Sequence, residues 1–138
     1  MKVVLKDKGT LVVRFDRGEE LVSALERICG EENIDGAYVS GIGSAQRVRL
    51  AWYDVDSKEY LEKEIAEKLE VVNLTGNVAR KGNEVIVHLH GTLSDREMRP
   101  VAGHVASLEV AATLEVIVIK TDALFKERSE KIGLNLLQ

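Results

Sequence analysis

The three histidines of the chain all fall between positions 88 and 104, as His88, His90 and His104. An imidazole set this compact has the chemistry of a metal-ligand group. Side chains alternate along a strand, so the His-x-His pair projects from one face with its rings about 7 Å apart along the backbone. A third imidazole from a Gly103-His104 turn would close a three-histidine set with a fourth position open, the arrangement of a catalytic or exchangeable zinc site rather than a structural one. Gly91 and Gly103 would let the backbone approach closely. The plainer alternative is that His88 and His90 cap a half-buried strand and hydrogen-bond to their neighbours. Glu115 is the second candidate. It interrupts Ala111 to Ile119, a stretch that otherwise reads as a buried strand, and a buried carboxylate must be paired, hydrogen-bonded or protonated. It would either orient an imidazole, as a cofactor-binding residue beyond the ligands, or pair with Arg47, Arg49 or Arg99.

Other chemistry has less behind it. Ser40, Ser44, Ser94 and Ser107 occur without a Gly-x-Ser-x-Gly elbow. Gly41-Ile42-Gly43-Ser44 lacks the lysine of a phosphate loop and does not run into a helix, so it reads as a strand bend. Gly82 followed by His88-Leu89-His90 resembles half of a cupin metal motif whose glutamate and second half are missing. Cys29, the only cysteine, sits in an amphipathic pattern and reads as a small buried hydrophobe.

The elements that must position these residues are mostly strands. Lys2 to Lys6 and Thr10 to Asp16 flank Asp7-Lys8-Gly9, a hairpin. Leu21, Val22, Leu25, Ile28 and Cys29 then fall at helical spacing, with Asp16 or Gly18 near the start and Gly30 past the end. Ala37 to Ile42 and Gln46 to Val55 read as strands, as do Leu69 to Val78, Glu84 to Leu93 and Leu108 to Ile119; Lys81-Gly82-Asn83 supplies a turn. Residues 58–68 fit either a helix or a charged edge strand. Leu124 to Gln138 is amphipathic with an apolar end that needs a covering surface, on its own domain or on a neighbouring subunit. Several strands against one helix predict an α+β class, a mixed or antiparallel sheet packed against a helix, in a single domain over residues 1–138.

The 138 residues are 45% hydrophobic and 30% charged, enough to bury a core and stay in solution. Nineteen basic against 23 acidic side chains leave a net charge of −4, which disfavours unassisted binding to nucleic acid. Apolar runs such as Val116 to Ile119 are far short of a membrane span, and Met1 to Leu5 leads straight into Lys6, Asp7 and Lys8 rather than a signal peptide. The expectation is a cytoplasmic protein with no membrane partner.

Taken in order, Val39-Ser40-Gly41-Ile42-Gly43-Ser44, Leu69 to Asn77, Val87-His88-Leu89-His90-Gly91, Gly103-His104-Val105 and Ala112 to Val116 resemble the plant- and prokaryote-conserved (PPC) domain across nearly the whole chain. The resemblance implies an α+β fold, a homotrimer built from the main sheet, and histidines matching His88, His90 and His104 as is usual in single-domain prokaryotic relatives. In plants the domain is fused to an Arg-Gly-Arg-Pro element that enters the minor groove of AT-rich DNA. Here Arg99-Pro100 lacks the preceding arginine and glycine, so DNA affinity does not carry over.

Three functions follow as expectations. The first is a trimeric module binding zinc, another divalent metal or a small ligand through His88, His90 and His104, with trimerisation covering Trp52 and the apolar C-terminus. The second is a DNA-associated scaffold using Arg47, Arg49, Arg80 and Lys81. The third is a metal-dependent enzyme in which an open metal position activates water; no residue pattern identifies its substrate.

Overall fold

The computed structural model describes residues 1–138. The strand order is β1 (Lys2–Lys6), β2 (Thr10–Asp16), β3 (Ala37–Asp54), β4 (Glu59–Ile65), β5 (Leu69–Lys81), β6 (Glu84–Ser94), β7 (Pro100–Lys120), β8 (Lys126–Ser129) and β9 (Leu134–Leu137), with one helix, α1 (Leu21–Glu31), after β2. All neighbouring strands pair antiparallel. The predicted α+β class is therefore corrected: the chain is 67% strand and 8% helical, a large antiparallel sheet carrying one small helix.

The physical reason lies in how far the strands run. The ambiguous segment 58–68 contains β4, whose side chains are nearly all exposed and whose charges protect a sheet edge. The two stretches separated at Gly43 are one strand, β3, and β7 begins at Pro100 rather than Leu108. The supposed Gly103-His104 turn is thus extended backbone. β3 and β7 are long enough to bend, and a ring of pairings closes: β3 with β5, β5 with β6, β6 with β7, and β7 with β3. Register shifts at Gly41/Gly43 against β5 and Gly43/Ala45 against β7 make the bend. A Cβ at Gly43 would overlap the Thr113 carbonyl oxygen and lie 2.6 Å from Leu114 Cα, so glycine is what lets the two strands cross.

The closed sheet buries one face of each strand. Leu11, Val13 and Phe15 of β2, Val39 and Val48 of β3, Leu74 of β5, Leu89 and Leu93 of β6, and Leu108, Leu114, Val116 and Val118 of β7 form one core. α1 seals it with Leu21, Leu25, Ile28 and Cys29. Burial pushes the Cys29 thiol up to about 12, as befits a packing residue. No helix is long and apolar enough to cross a membrane.

The helix starts on Glu20, a residue outside the usual capping set. Its carboxylate accepts hydrogen bonds from Val22 N (3.1 Å), Ser23 N (2.8 Å) and Ser23 Oγ (2.5 Å), and its extra length also reaches Leu108 N of β7 at 3.2 Å. One side chain therefore caps the helix and fastens it to the sheet. Burial raises the Glu20 pKa, but the bonds from Ser23, Leu108 and Val22 outweigh it and hold the carboxyl below its ordinary value. A folded pKa below the unfolded one contributes stability above the ordinary carboxylate range, and that contribution fades as pH falls through the folded value. Glu20→Ala is expected to cost about 1–2 kcal/mol at neutral pH, with a deficit that shrinks in acid. Urea midpoints at the two pH values check it; equal midpoints at neutral pH would refute the cap.

Candidate metal centre

β6 turns Val87 and Leu89 inward, so His88 and His90 must point outward together. On β7, His104 lies directly opposite His90 in the register. The three rings meet on the outer surface of the closed sheet, with centroids 5.2 Å apart for His88–His90, 5.1 Å for His88–His104 and 5.5 Å for His90–His104. One nitrogen from each ring lies within 4.8 Å of the other two. Three points so spaced share a centre at most about 2.8 Å from each, and an inward shift of each ring nitrogen by at most about 0.8 Å brings that to the roughly 2.0–2.1 Å of a zinc–imidazole bond. The donor set fits a divalent ion with at least one position open.

Electrostatics favour the same use. Burial, reinforced by the charge of Lys126 and by His104 and His90, pushes the His88 pKa down to about 4. Burial also lowers His104, with His90 and Lys126 adding to it and Glu62 opposing. Both rings are neutral at pH 7, with lone pairs free for a metal. Tyr60 of β4 stacks on His104 with centroids 5.5 Å apart and is itself in contact with Tyr53.

The C-terminal segment supplies the lid of this site. β8 and β9 pair as a hairpin, turning at Gly133 with φ +82°, and the apolar end predicted to need a covering surface packs here on its own chain. Tyr53 donates from its hydroxyl to Ile132 O (2.7 Å), and Lys58 Nζ donates to Glu130 O (2.8 Å), fastening the hairpin to the β3–β4 ribbon. Between hairpin and sheet lies a cleft of about 270 Å³ lined by His88, His104, Tyr60, Lys126, Arg128 and Asn135, among others.

Glu115 is not brought to the histidines. It projects from the exposed side of β7, opposite Arg14 and Ile42, eleven positions along the strand from His104. The stretch around it alternates, with Leu114, Val116 and Val118 buried while Ile117 and Ile119 are exposed, so no buried carboxylate needs explaining. The arginines suggested as its partners are engaged elsewhere: Arg47 with Glu64 and Glu109, Arg49 with Glu62, Arg99 with Asp95 and Glu97. Sequence reasoning missed Lys126, Tyr60 and Asn135. The signal available for the first and last was the hairpin pattern around Gly133, which amphipathic periodicity obscured.

The chain is similar to several solved structures over nearly its full length. A metal-containing protein of Archaeoglobus fulgidus is 31% identical, covering 100% of this chain and 99% of its own, with a TM-score of 0.88. A protein of Bacteroides thetaiotaomicron provisionally named as DNA-binding is 27% identical, covering 97% and 94%, with a TM-score of 0.93. A plant- and prokaryote-conserved protein of Pyrococcus horikoshii is 28% identical, covering 94% and 90%, with a TM-score of 0.86. No curated protein matches the sequence. A family model for the Plants and Prokaryotes Conserved (PCC) domain matches residues 4–122, a stretch that contains the closed sheet, the helix and all three histidines, and the chain belongs to that family.

Proposed function

We propose that the protein is a homotrimeric metal-binding module in which His88, His90 and His104 hold one divalent ion, zinc being the ion their geometry suits best. The observation that carries this reading is the placement of three imidazole nitrogens within 4.8 Å of one another on two adjacent strands. The metal-containing name of the Archaeoglobus relative supports it. Three imidazole ligands with an open position would leave the ion able to exchange ligands, and when bound it would polarise an oxygen donor placed there. The chain's own contribution is to half-bury His88 and His104 beside Tyr60 and the C-terminal hairpin, while His90 stays open to solvent.

Elemental analysis of purified protein is expected to find zinc or a similar ion at up to one per chain, removable by chelator. A protein free of metal as purified, and unable to take up zinc when it is supplied, would end this reading. The trimer has a separate support: Tyr38, Ile42, Ile117 and Ile119 are 44–58% exposed on one face of the sheet, an apolar patch that self-association would cover. Sedimentation is expected to give three times 15.3 kDa; a monomer would remove this part alone.

The DNA-scaffold reading has weaker support. Of its basic candidates, Arg47, Arg49 and Arg80 face Glu64, Glu62 and Asp35, leaving less free positive charge for phosphates.

A further inference from the structure

The cleft beside the histidines contains a charge that the metal reading does not use. Lys126 is 6% exposed, the only charged or polar residue in the buried set. It lines the cleft with His88 and His104, and no carboxylate offsets its burial. Its ammonium has no partner in the protein and opens to the cleft instead of being sealed in the core, where it is placed to meet an anion. Arg128, two residues along β8 and on the same wall, places a guanidinium at the mouth, 4.0 Å from the Glu130 carboxylate. Nearby Asn135 has its carboxamide oxygen buried without a donor.

The geometry points to a small organic carboxylate as the ligand of this site, one oxygen taking the open position on the ion and the other accepting from Lys126 Nζ. This inference rests on the proposed metal site. Two further features select a carboxylate over phosphate. The lining residues belong to strands and the β8–β9 turn and include no helix N-terminus, whereas phosphate sites usually gather several backbone donors at a helix N-terminus or a nest. Tyr60, Ile86 and Leu134 give the cleft an apolar side for a short carbon skeleton. Its volume of about 270 Å³ equals roughly nine waters, room for a molecule the size of lactate.

The test uses the full chain loaded with zinc, with zinc content measured before each titration. Calorimetry with L-lactate is expected to show binding to the wild type. Lys126→Met should weaken it roughly 10- to 100-fold, the effect of losing one charge-assisted hydrogen bond, with zinc content unchanged; Lys126→Arg should retain most of it. Because Lys126→Met replaces a mostly covered lysine, whose ammonium has no partner, by an apolar side chain, the metal-free variant should melt at a higher temperature than metal-free wild type, a readout independent of ligand. Fully loaded protein that binds no lactate, that binds it equally well with and without Lys126, or that prefers inorganic phosphate would overturn the carboxylate assignment while leaving the metal site standing. Wild type that holds no zinc would show instead that the metal reading had failed.

Discussion

Gly76→Ala is expected to unfold more easily than wild type by about 3 kcal/mol or more and to lose its metal with it. Gly76 of β5 lies beside His88 and opposite Leu89 of β6. A Cβ there would overlap the His88 carbonyl oxygen and sit 2.9 Å from the His88 carbonyl carbon and 3.0 Å from Leu89 Cα. These are backbone atoms, and no rotamer change moves them. Inserting a methyl group into a well-packed site typically costs 1–3 kcal/mol even when side chains can yield, so prying two strands apart falls at or above that limit. The strand that must move carries two of the three imidazoles. Gly30→Ala is the control: it lies in α1, where the nearest atom to a new Cβ is 4.0 Å away on Val85, and alanine there should be stabilising by roughly 0.5–1 kcal/mol with zinc retained. Urea midpoints and metal content of the two variants provide the check. Full zinc and an unchanged midpoint in Gly76→Ala would mean that β5 and β6 do not approach as closely as described.

His90→Ala is expected to weaken zinc binding by roughly 10²–10³-fold, enough to strip the ion during purification, while the fold survives. The magnitude follows from sharing the roughly 10–16 kcal/mol of a four-ligand zinc site among its ligands. Survival follows from exposure: His90 points away from the core, between Thr75 and His104 in the ladder, so truncating it leaves no cavity. Its neighbour Leu89 is 1% exposed and fills the core on the other side of the strand, and Leu89→Ala should do the reverse, destabilising by about 2–5 kcal/mol. Competition with a chromogenic chelator measures the first effect and circular dichroism confirms the second. A His90→Ala protein with wild-type zinc affinity would show that two imidazoles suffice and that His104 and His90 are not joint ligands.

The clustering of the three histidines was more legible in the sequence than the fold class. Two histidines at i and i+2 need only the alternation of a strand to share a face, and that holds in any sheet. His104 also joined them, though for a different reason than its supposed turn: it is mid-strand, brought opposite His90 by pairing with β6. The α+β expectation failed because local pattern sees each strand only as far as its next glycine or charged residue. Gly43 and Gly103 read as ends, yet each lies inside a strand, where the missing side chain lets another strand pass close by. Glu115 was misplaced because alternation was read as continuous burial; Leu114 and Val116 are buried and the glutamate between them is not. Lys126 was invisible because a lysine in an amphipathic tail is ordinarily solvated, and the hairpin brings it against Tyr60, His88 and His104 of the sheet.

The hairpin formed by β8 and β9 lies beyond residue 122, where the family match ends. On the proposed reading, the imidazoles that would hold the ion lie within the family domain, and the lysine that would meet its ligand lies on the segment that follows it. Such a division would make the chemistry separable in evolution. The Archaeoglobus relative aligns with 100% of this chain, hairpin included, so comparison of that segment with the domain before it would show whether the lysine and the imidazoles vary independently.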